Sequence, residues 1–147
     1  LDGSLLDYET DTSHTVTVLA TSSDGSTQSE NFVIAVTNVN DNAITDLADA
    51  NASANTVAED AADGTAVGVT ALATDDDSGA TVTYSLTDDA AGRFVIDTNT
   101  GIITVLDGSL LDYETDTSHT VTVLATSSDG SPSAPTSSRT PGGRSSG

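Results

Sequence analysis

An exact internal repeat constrains this 147-residue chain more than any other feature. Residues 1–26 recur without change at 106–131, an offset of 105 positions. That spacing is the size of one small β-domain rather than of one turn of a solenoid. After position 26 the first copy continues into TQSENFVIAVTNVNDN, whereas the second copy runs into a Ser-, Pro- and Gly-rich stretch. We therefore expect an excised segment that starts late in one repeat and stops late in the next.

Composition divides the chain into three parts. All 23 acidic residues and one arginine lie in residues 1–131, whereas residues 132–147 hold two arginines, all three prolines and no acid. A Ser/Pro/Gly-rich stretch without apolar periodicity is typical of a flexible segment. We predict the end of one repeat with its linker at 1–42, a second repeat without its last strand at 43–131, and a flexible tail of foreign composition at 132–147.

The charge excludes several classes of function. The formal net charge is −20 with only three basic residues, so the chain lacks the basic face that a nucleic-acid-binding protein needs. An anionic membrane surface would repel it, and no apolar run approaches the ~20 residues that span a bilayer. Cys, Met and Trp are absent, which leaves no disulfide, thiol nucleophile or soft-metal site. We predict no nucleic-acid partner and no direct membrane insertion.

Alternating apolar residues predict β-strands throughout the chain. In Thr81–Thr87, three apolar residues alternate with Thr and Ser, which is the pattern of a half-buried strand. Further strands are predicted at 16–20, 32–36, 66–73, 93–96, 102–106 and 119–126, with a weaker candidate at 56–58. No helix is predicted apart from one short turn at Leu110–Tyr113. About seven short strands per repeat with Gly-rich turns predict an all-β, antiparallel β-sandwich.

No constellation of residues indicates catalysis. His14 and His119 are the same position in the two copies, inside a Thr/Val strand where a histidine on the polar face is the ordinary interpretation. Neither a Gly-x-Ser-x-Gly elbow nor a phosphate-binding glycine loop occurs. A glycosidase pair needs an apolar or aromatic cleft that separates two carboxyl pKa values, which three Tyr and no Trp can hardly build. We predict that the chain is not an enzyme.

Carboxylates cluster at the ends of the predicted strands. Asp75–Asp77 lies between two strands, Asp7-Tyr8-Glu9 and its copy Asp112-Tyr113-Glu114 each precede a strand, and Asn38–Asn42 follows one. Like charges about 4–6 Å apart repel, and a hard cation ligated by roughly six to eight oxygens removes that repulsion. The preference of Asp and Asn for turns explains any one of these residues equally well. The clusters together favour a Ca²⁺ site over a transition-metal site.

The order of these elements resembles the cadherin repeat. The matching motifs are Asn38–Asn42 (like D-x-N-D-N), Val57-Ala58-Glu59, Ala73–Gly79 (like A-x-D-x-D-x-G), Val82–Leu86, Phe94–Thr104 and Leu111–Glu114 (like L-D-[RY]-E). The resemblance covers residues 1–131, and near-identical tandem copies without Lys or Cys are similar to the repeats of large bacterial surface adhesins. It implies a cadherin/immunoglobulin-like Greek-key β-sandwich.

The resemblance also implies Ca²⁺ at the junction between consecutive repeats, with ligands from both sides. Carried over by position, the ligands at the junction within this chain are Asp7, Glu9, Asn40, Asp41, Asp75 and Asp77. The ligands that match the following junction are Glu59, Asp112 and Glu114, with Asp129, displaced by two residues from the family pattern, as a further candidate. Because Asn38 replaces the first Asp of the linker, we expect one or two ions here rather than three.

Two functions fit this interpretation. The first is a calcium-rigidified structural repeat of an extracellular adhesion protein at the cell surface. Its partners would be calcium, neighbouring repeats of the same chain and identical repeats on another chain, in homophilic cell adhesion. The alternative is a carbohydrate-binding module of a secreted or surface protein, with glycans as ligands. Such a module needs an aromatic platform, for which only Tyr84 is available outside the motifs.

The second repeat also lacks a final strand with an apolar face, because its tail diverges from the first copy. We predict that Asn31–Val39, with Phe32 and Ile34 on its inward face, docks onto the 56–126 sandwich as a permuted final strand. The alternative is a separate hairpin between Asn31–Val39 and His14–Ala20, which would be marginally stable alone.

Overall fold

A computed structural model describes residues 3–130 and Thr136–Ser137. It divides into two units. The first unit holds residues up to Asn42 together with Asp76–Gly79, and the sandwich unit holds Ala43–Asp75 and the residues from Ala80 onward. Apart from Thr136–Ser137, the predicted flexible tail lies outside the described residues. In the described part, no helix is long and apolar enough to cross a membrane.

Strands account for nearly all of the regular structure. They are β1 (Ser13–Thr21), β2 (Thr27–Ala35), β3 (Ala48–Asp49), β4 (Ala66–Leu72), β5 (Val82–Asp88), β6 (Phe94–Ile96), β7 (Ile102–Val105), β8 (Thr122–Ser127) and β9 (Thr136–Ser137). Two short 3₁₀ turns, Gly3–Leu5 and Gly108–Leu110, are the same sequence in the two copies. The second turn begins two residues before the predicted position, because the Asp107 carboxylate caps it by accepting a hydrogen bond from the Ser109 N–H.

The sandwich unit packs two antiparallel sheets around one core. One sheet has the order β3-β4-β7-β6 and the other has the order β5-β8-β9. Alternate residues of β8 point inward, so Val123, Ala125 and Ser127 are buried. The most enclosed large side chains, Ile103 and Val105, lie on β7. The all-β sandwich prediction is therefore confirmed.

Two contacts position the start of β7 and the end of β4 in this unit. Gly101 has a φ of +70°, and a Cβ at this position would collide with the carbonyl oxygen of Ala71, so only glycine fits where β7 starts beside β4. The buried Tyr84 hydroxyl accepts a hydrogen bond from the Ala73 N–H at 3.1 Å and donates one to the Ala73 carbonyl at 3.3 Å. Ala73 directly follows β4, so the tyrosine fastens the end of that strand.

The weaker strand candidate at 56–58 is wrong. The Thr56 N–H bonds the Ala54 carbonyl at 3.0 Å, a local contact, and the segment joins no ladder. The neighbour of β4 on that side is instead β3, which pairs Ala48 with Leu72. The strand predicted at 119–126 begins only at Thr122.

In the first unit, β1 and β2 form an antiparallel hairpin. The register places Val16 opposite Phe32 and His14 opposite Ile34. The prediction that Asn31–Val39 serves as a permuted final strand is wrong, because β2 takes β1 as its partner and the alternative hairpin forms. The tail contributes a two-residue strand, since Thr136–Ser137 pairs with the first two residues of β8, and neither of its residues is apolar.

Candidate metal centres

The first unit gathers three acids from distant parts of the sequence. One carboxylate oxygen from each of Glu9, Asp41 and Asp77 lies within 4.8 Å of the other two. Asp77 is buried, whereas Glu9 and Asp41 are exposed. Three anionic groups at such distances repel each other, and burial of one of them raises the electrostatic cost further. The arrangement therefore favours a bound cation.

Hydrogen bonds from the linker orient the buried member of this group. The Asp77 carboxylate accepts from the backbone N–H of Asp41 at 3.3 Å and from that of Asn42 at 3.1 Å. The Asn42 side-chain amide donates to both Asp77 and Asp41, at 3.3 Å each. Glu9 is held as well, since its carboxylate accepts a hydrogen bond from the Ser78 N–H at 3.1 Å. The sequence prediction did not include Asn42, although its position at the end of the Asn38–Asn42 motif was the available signal.

Asp7 has a different place from its predicted partners. Its carboxylate closes a turn by accepting from the Glu9 N–H at 3.0 Å and from the Thr10 hydroxyl at 2.7 Å. The hydrogen bond from the Thr10 hydroxyl is the main cause of the lowered pKa of Asp7, and the backbone N–H groups of Thr10 and Glu9 lower it further. Within the described residues, Asp7 is outside the three-acid group and fixes the turn that presents Glu9. Asn40, an exposed amide, directly precedes Asp41.

The sandwich unit has an acid group of its own. Carboxylate oxygens of Glu59, Asp112 and Glu114 lie within 4.8 Å of one another, and all three residues are exposed. Glu59 accepts from the Tyr113 N–H at 2.9 Å, which joins the segment before β4 to the segment before β8. Asp112 accepts from the Glu114 N–H at 3.1 Å and from the Thr115 hydroxyl at 2.7 Å, as Asp7 does in the first copy.

The last two predicted ligands, Asp75 and Asp129, form a pair. Asp75 and Asp129, both in the sandwich unit, bring carboxylate oxygens within 4.8 Å of each other. Each residue is half-buried, and the Oδ2 atom of each is shielded from solvent. Desolvation of two like charges is costly, so this pair also favours a cation.

The Thr115 hydroxyl is the largest cause of the lowered pKa of Asp112. We expect Thr115→Val to raise the pKa of Asp112 in chelator-treated protein, measured by NMR titration of the carboxyl carbons. A carboxyl pKa depressed by folding stabilises the native state above the unfolded pKa, and this contribution is lost as pH falls through the folded value. The variant should therefore lose less stability between neutral and acid pH. Thr120→Val, outside the turn, is the control, and an unchanged Asp112 pKa in Thr115→Val would contradict the assignment.

The donor chemistry of the acid groups fits calcium. Every side chain in them offers carboxylate oxygen, which is the ligand type of hard cations. Three carboxylates supply up to six oxygens, and Ca²⁺ takes roughly six to eight, with backbone carbonyls or water as the remainder. Mg²⁺ requires near-ideal octahedral geometry and keeps its own waters, so it is less suited than Ca²⁺ to a site built mainly of side-chain carboxylates.

Known proteins share the sequence pattern and the fold of this chain. A cadherin domain model matches residues 54–140, more than half of the chain. Mouse cadherin-23 EC22-24 is 31% identical with a TM-score of 0.68, and mouse clustered PcdhgC3 EC1-3 is 28% identical with a TM-score of 0.65. Each match covers 90% of this chain and 42% of the known one.

The extracellular domain of protocadherin gammaB4 is 25% identical with a TM-score of 0.70, and the match covers 90% of this chain and 21% of that one. The chain thus spans less than half the length of these structures. No curated protein sequence matches it. The match to the domain model and the likeness to these structures together place the chain in the cadherin family.

Proposed function

We propose that this chain is a calcium-binding structural repeat of an extracellular adhesion protein, in which Ca²⁺ rigidifies the segment between tandem repeats. The observation that carries the proposal is the group of Glu9, Asp41 and Asp77. It joins acids from three separate places in the sequence, and its buried member is bonded to the linker at Asp41 and Asn42. A cation held there would fix the linker.

The chain's own residues prepare this site without the metal. The N–H groups of Asp41 and Asn42 hold the Asp77 carboxylate, and the Ser78 N–H holds Glu9. When bound, calcium supplies charge neutralisation and bonds to several oxygens at once. Because these hydrogen bonds already hold the carboxylates of Asp77 and Glu9, fewer side-chain rotamers are lost when calcium binds, which reduces the entropic cost of binding.

The second group, Glu59, Asp112 and Glu114, extends the proposal. All three acids are exposed, and the contact between Tyr113 and Glu59 fixes their spacing. We assign to this group the ligands that the sandwich unit offers to a following repeat. The parent protein would then be a tandem array at the cell surface, whose repeats associate with calcium and with each other rather than catalyse a reaction.

The carbohydrate-binding alternative gains no support from Tyr84. Its ring is buried and its hydroxyl bonds the backbone of Ala73, so it presents no face to a sugar. An aromatic sugar platform needs an accessible ring. We therefore retain the calcium-dependent adhesion repeat as the proposed function.

Calcium titration of matched variants tests the proposal. Asp77→Asn removes one charge from the three-acid group, whereas Asp76→Asn makes the same change at the exposed neighbour outside it. Because site affinity follows the number of charged ligands, we expect Asp77→Asn to weaken one calcium site about tenfold or more by isothermal titration calorimetry. Asp76→Asn should bind as the unmodified chain does. Equal affinities in the two variants, with the β-sheet circular dichroism preserved, would contradict the assignment.

A further inference from the structure

The triplet Asn51-Ala52-Ser53 is the one place in the chain where a hydroxyl residue stands two positions after an asparagine. Asn-x-Ser/Thr, with x other than Pro, is the acceptor pattern for N-linked glycosylation of exported proteins. Ser and Thr are abundant in this chain, so the triplet by itself does not indicate a modification. The argument therefore depends on where the fold places it.

The fold presents the triplet in the connection between β3 and β4. All three of its residues are exposed, and none belongs to a strand. Two contacts with β4 hold the start of this connection. The Ala50 N–H donates to the Thr70 carbonyl at 2.8 Å, and the Asp49 carboxylate accepts from the Thr70 N–H at 3.0 Å. The triplet therefore begins at a fixed point on the surface of the sandwich unit.

Hydrogen bonds also orient the Asn51 carboxamide. Its Oδ1 atom accepts from the Ser53 N–H at 2.9 Å, and the Asn51 N–H donates to the Asp49 carboxylate at 2.9 Å. A backbone N–H bonds the oxygen of a carboxamide and not its nitrogen, so this contact identifies the Nδ2 arm. In the part of the chain that the structure describes, no residue accepts a hydrogen bond from Nδ2. The fold does not use the atom that would carry a sugar.

We propose that Asn51 is the acceptor of an N-linked glycan, an inference that rests on the extracellular location proposed above. The co-reactant is a lipid-linked oligosaccharide diphosphate, and an oligosaccharyltransferase of the exporting cell catalyses the transfer. The bond from Nδ2 to C1 of the first sugar forms while the C1–O bond to the diphosphate breaks. The diphosphate leaves with the bonding electron pair, and Nδ2 gives up one proton to a base of the transferase.

Such a glycan is compatible with the fold and with the acid groups. A glycan is bulky and hydrated, so it requires an exposed attachment point, which the connection between β3 and β4 provides. Among the described residues, none of the carboxylates in the acid groups lies within residues 50–55. Glycosylation and calcium binding are therefore expected to be independent of each other.

Secretion from cells that glycosylate exported proteins tests the acceptor, with peptide mapping by mass spectrometry as the measurement. We expect a glycan on Asn51 in the unmodified chain and in Ser53→Thr, and its loss in Ser53→Ala, which keeps the asparagine and removes the hydroxyl. Asn55 is the internal control, because it is exposed in the same connection but has Val57 two positions after it. An unmodified Asn51, in cells where a co-secreted reporter glycoprotein carries its glycan, would overturn the proposal. Equal occupancy in Ser53→Ala would overturn it as well.

Calcium titration of the same secreted proteins separates this proposal from the proposed function. Ser53→Ala should bind calcium as the unmodified chain does, and Asp77→Asn should carry the same glycan as the unmodified chain. A chain that is glycosylated at Asn51 but binds no calcium would contradict the calcium sites and support the acceptor. A chain that binds calcium with Asn51 unmodified would overturn the acceptor alone.

Discussion

Adding about 5 mM calcium to the chelated protein is expected to raise its Tm by roughly 4–16 °C for each ion bound. Extracellular calcium modules have a Kd of about 10⁻⁴–10⁻³ M, so this concentration stabilises the folded state by about 1–2 kcal/mol per ion. In a domain of this size, each 1 kcal/mol shifts Tm by about 4–8 °C. The physical source is relief of repulsion in the acid groups, which exist only in the folded chain. Thermal melts followed by circular dichroism measure the shift.

Two additions control for the general effect of ions. Sodium chloride at matched ionic strength screens the net charge of −20 without coordinating the carboxylates. Magnesium carries the same charge as calcium but has stricter geometric demands. We expect both to raise Tm less than calcium does. The same Tm in chelator and in calcium would refute the proposed sites.

Ile103→Ala is expected to lower the free energy of unfolding of the sandwich unit by about 2–5 kcal/mol. Ile103 is completely buried on β7, so truncating it reduces the apolar area that folding removes from water and leaves a cavity. Ile102, its neighbour on the same strand, is 40% exposed. Ile102→Ala should therefore cost much less, and urea denaturation of both variants in saturating calcium makes the comparison. Equal losses would show that β7 is not oriented as described.

The strands β4 and β5, each with one buried face, were predictable to within a residue. Thr81–Thr87 and 66–73 correspond to β5 and β4, because a sheet with one face in the core requires apolar residues at alternate positions. β3 has no such pattern. It is specified by its partner, since Asp49 accepts from the Thr70 N–H at 3.0 Å while Ala48 pairs with Leu72.

The identical segments show where local sequence stops being informative. Residues 13–21 form a strand of nine residues, whereas the same sequence at 118–126 becomes a strand only from Thr122. Val18 is half-exposed in one copy, and its counterpart Val123 is buried in the other. Tertiary partners decide both outcomes, since the local propensities are equal.

The same limit applies to the acids. The motifs predicted the candidate carboxylates. Among the described residues, however, Asp112 lies within a three-acid group and its exact copy Asp7 does not. What differs is the neighbour: Glu59 approaches the Asp112 turn, whereas Asp41 and Asp77 approach Glu9. Spacing along the chain can predict candidate ligands, but it cannot assign them to groups.

The bonds between Tyr84 and Ala73 have a mechanical consequence. One hydroxyl holds both backbone polar groups of the residue that leads into the acidic segment at Asp75. Detaching Ala73 would strand two polar groups in a buried place, at about 1–3 kcal/mol each, so this end of β4 resists peeling. A pulling force on the acidic segment therefore acts on β5 through the side chain of Tyr84, and the hydrogen bonds of β4 do not break one after another from this end. The stiffness of that anchor comes from the core and is present with or without a metal ion.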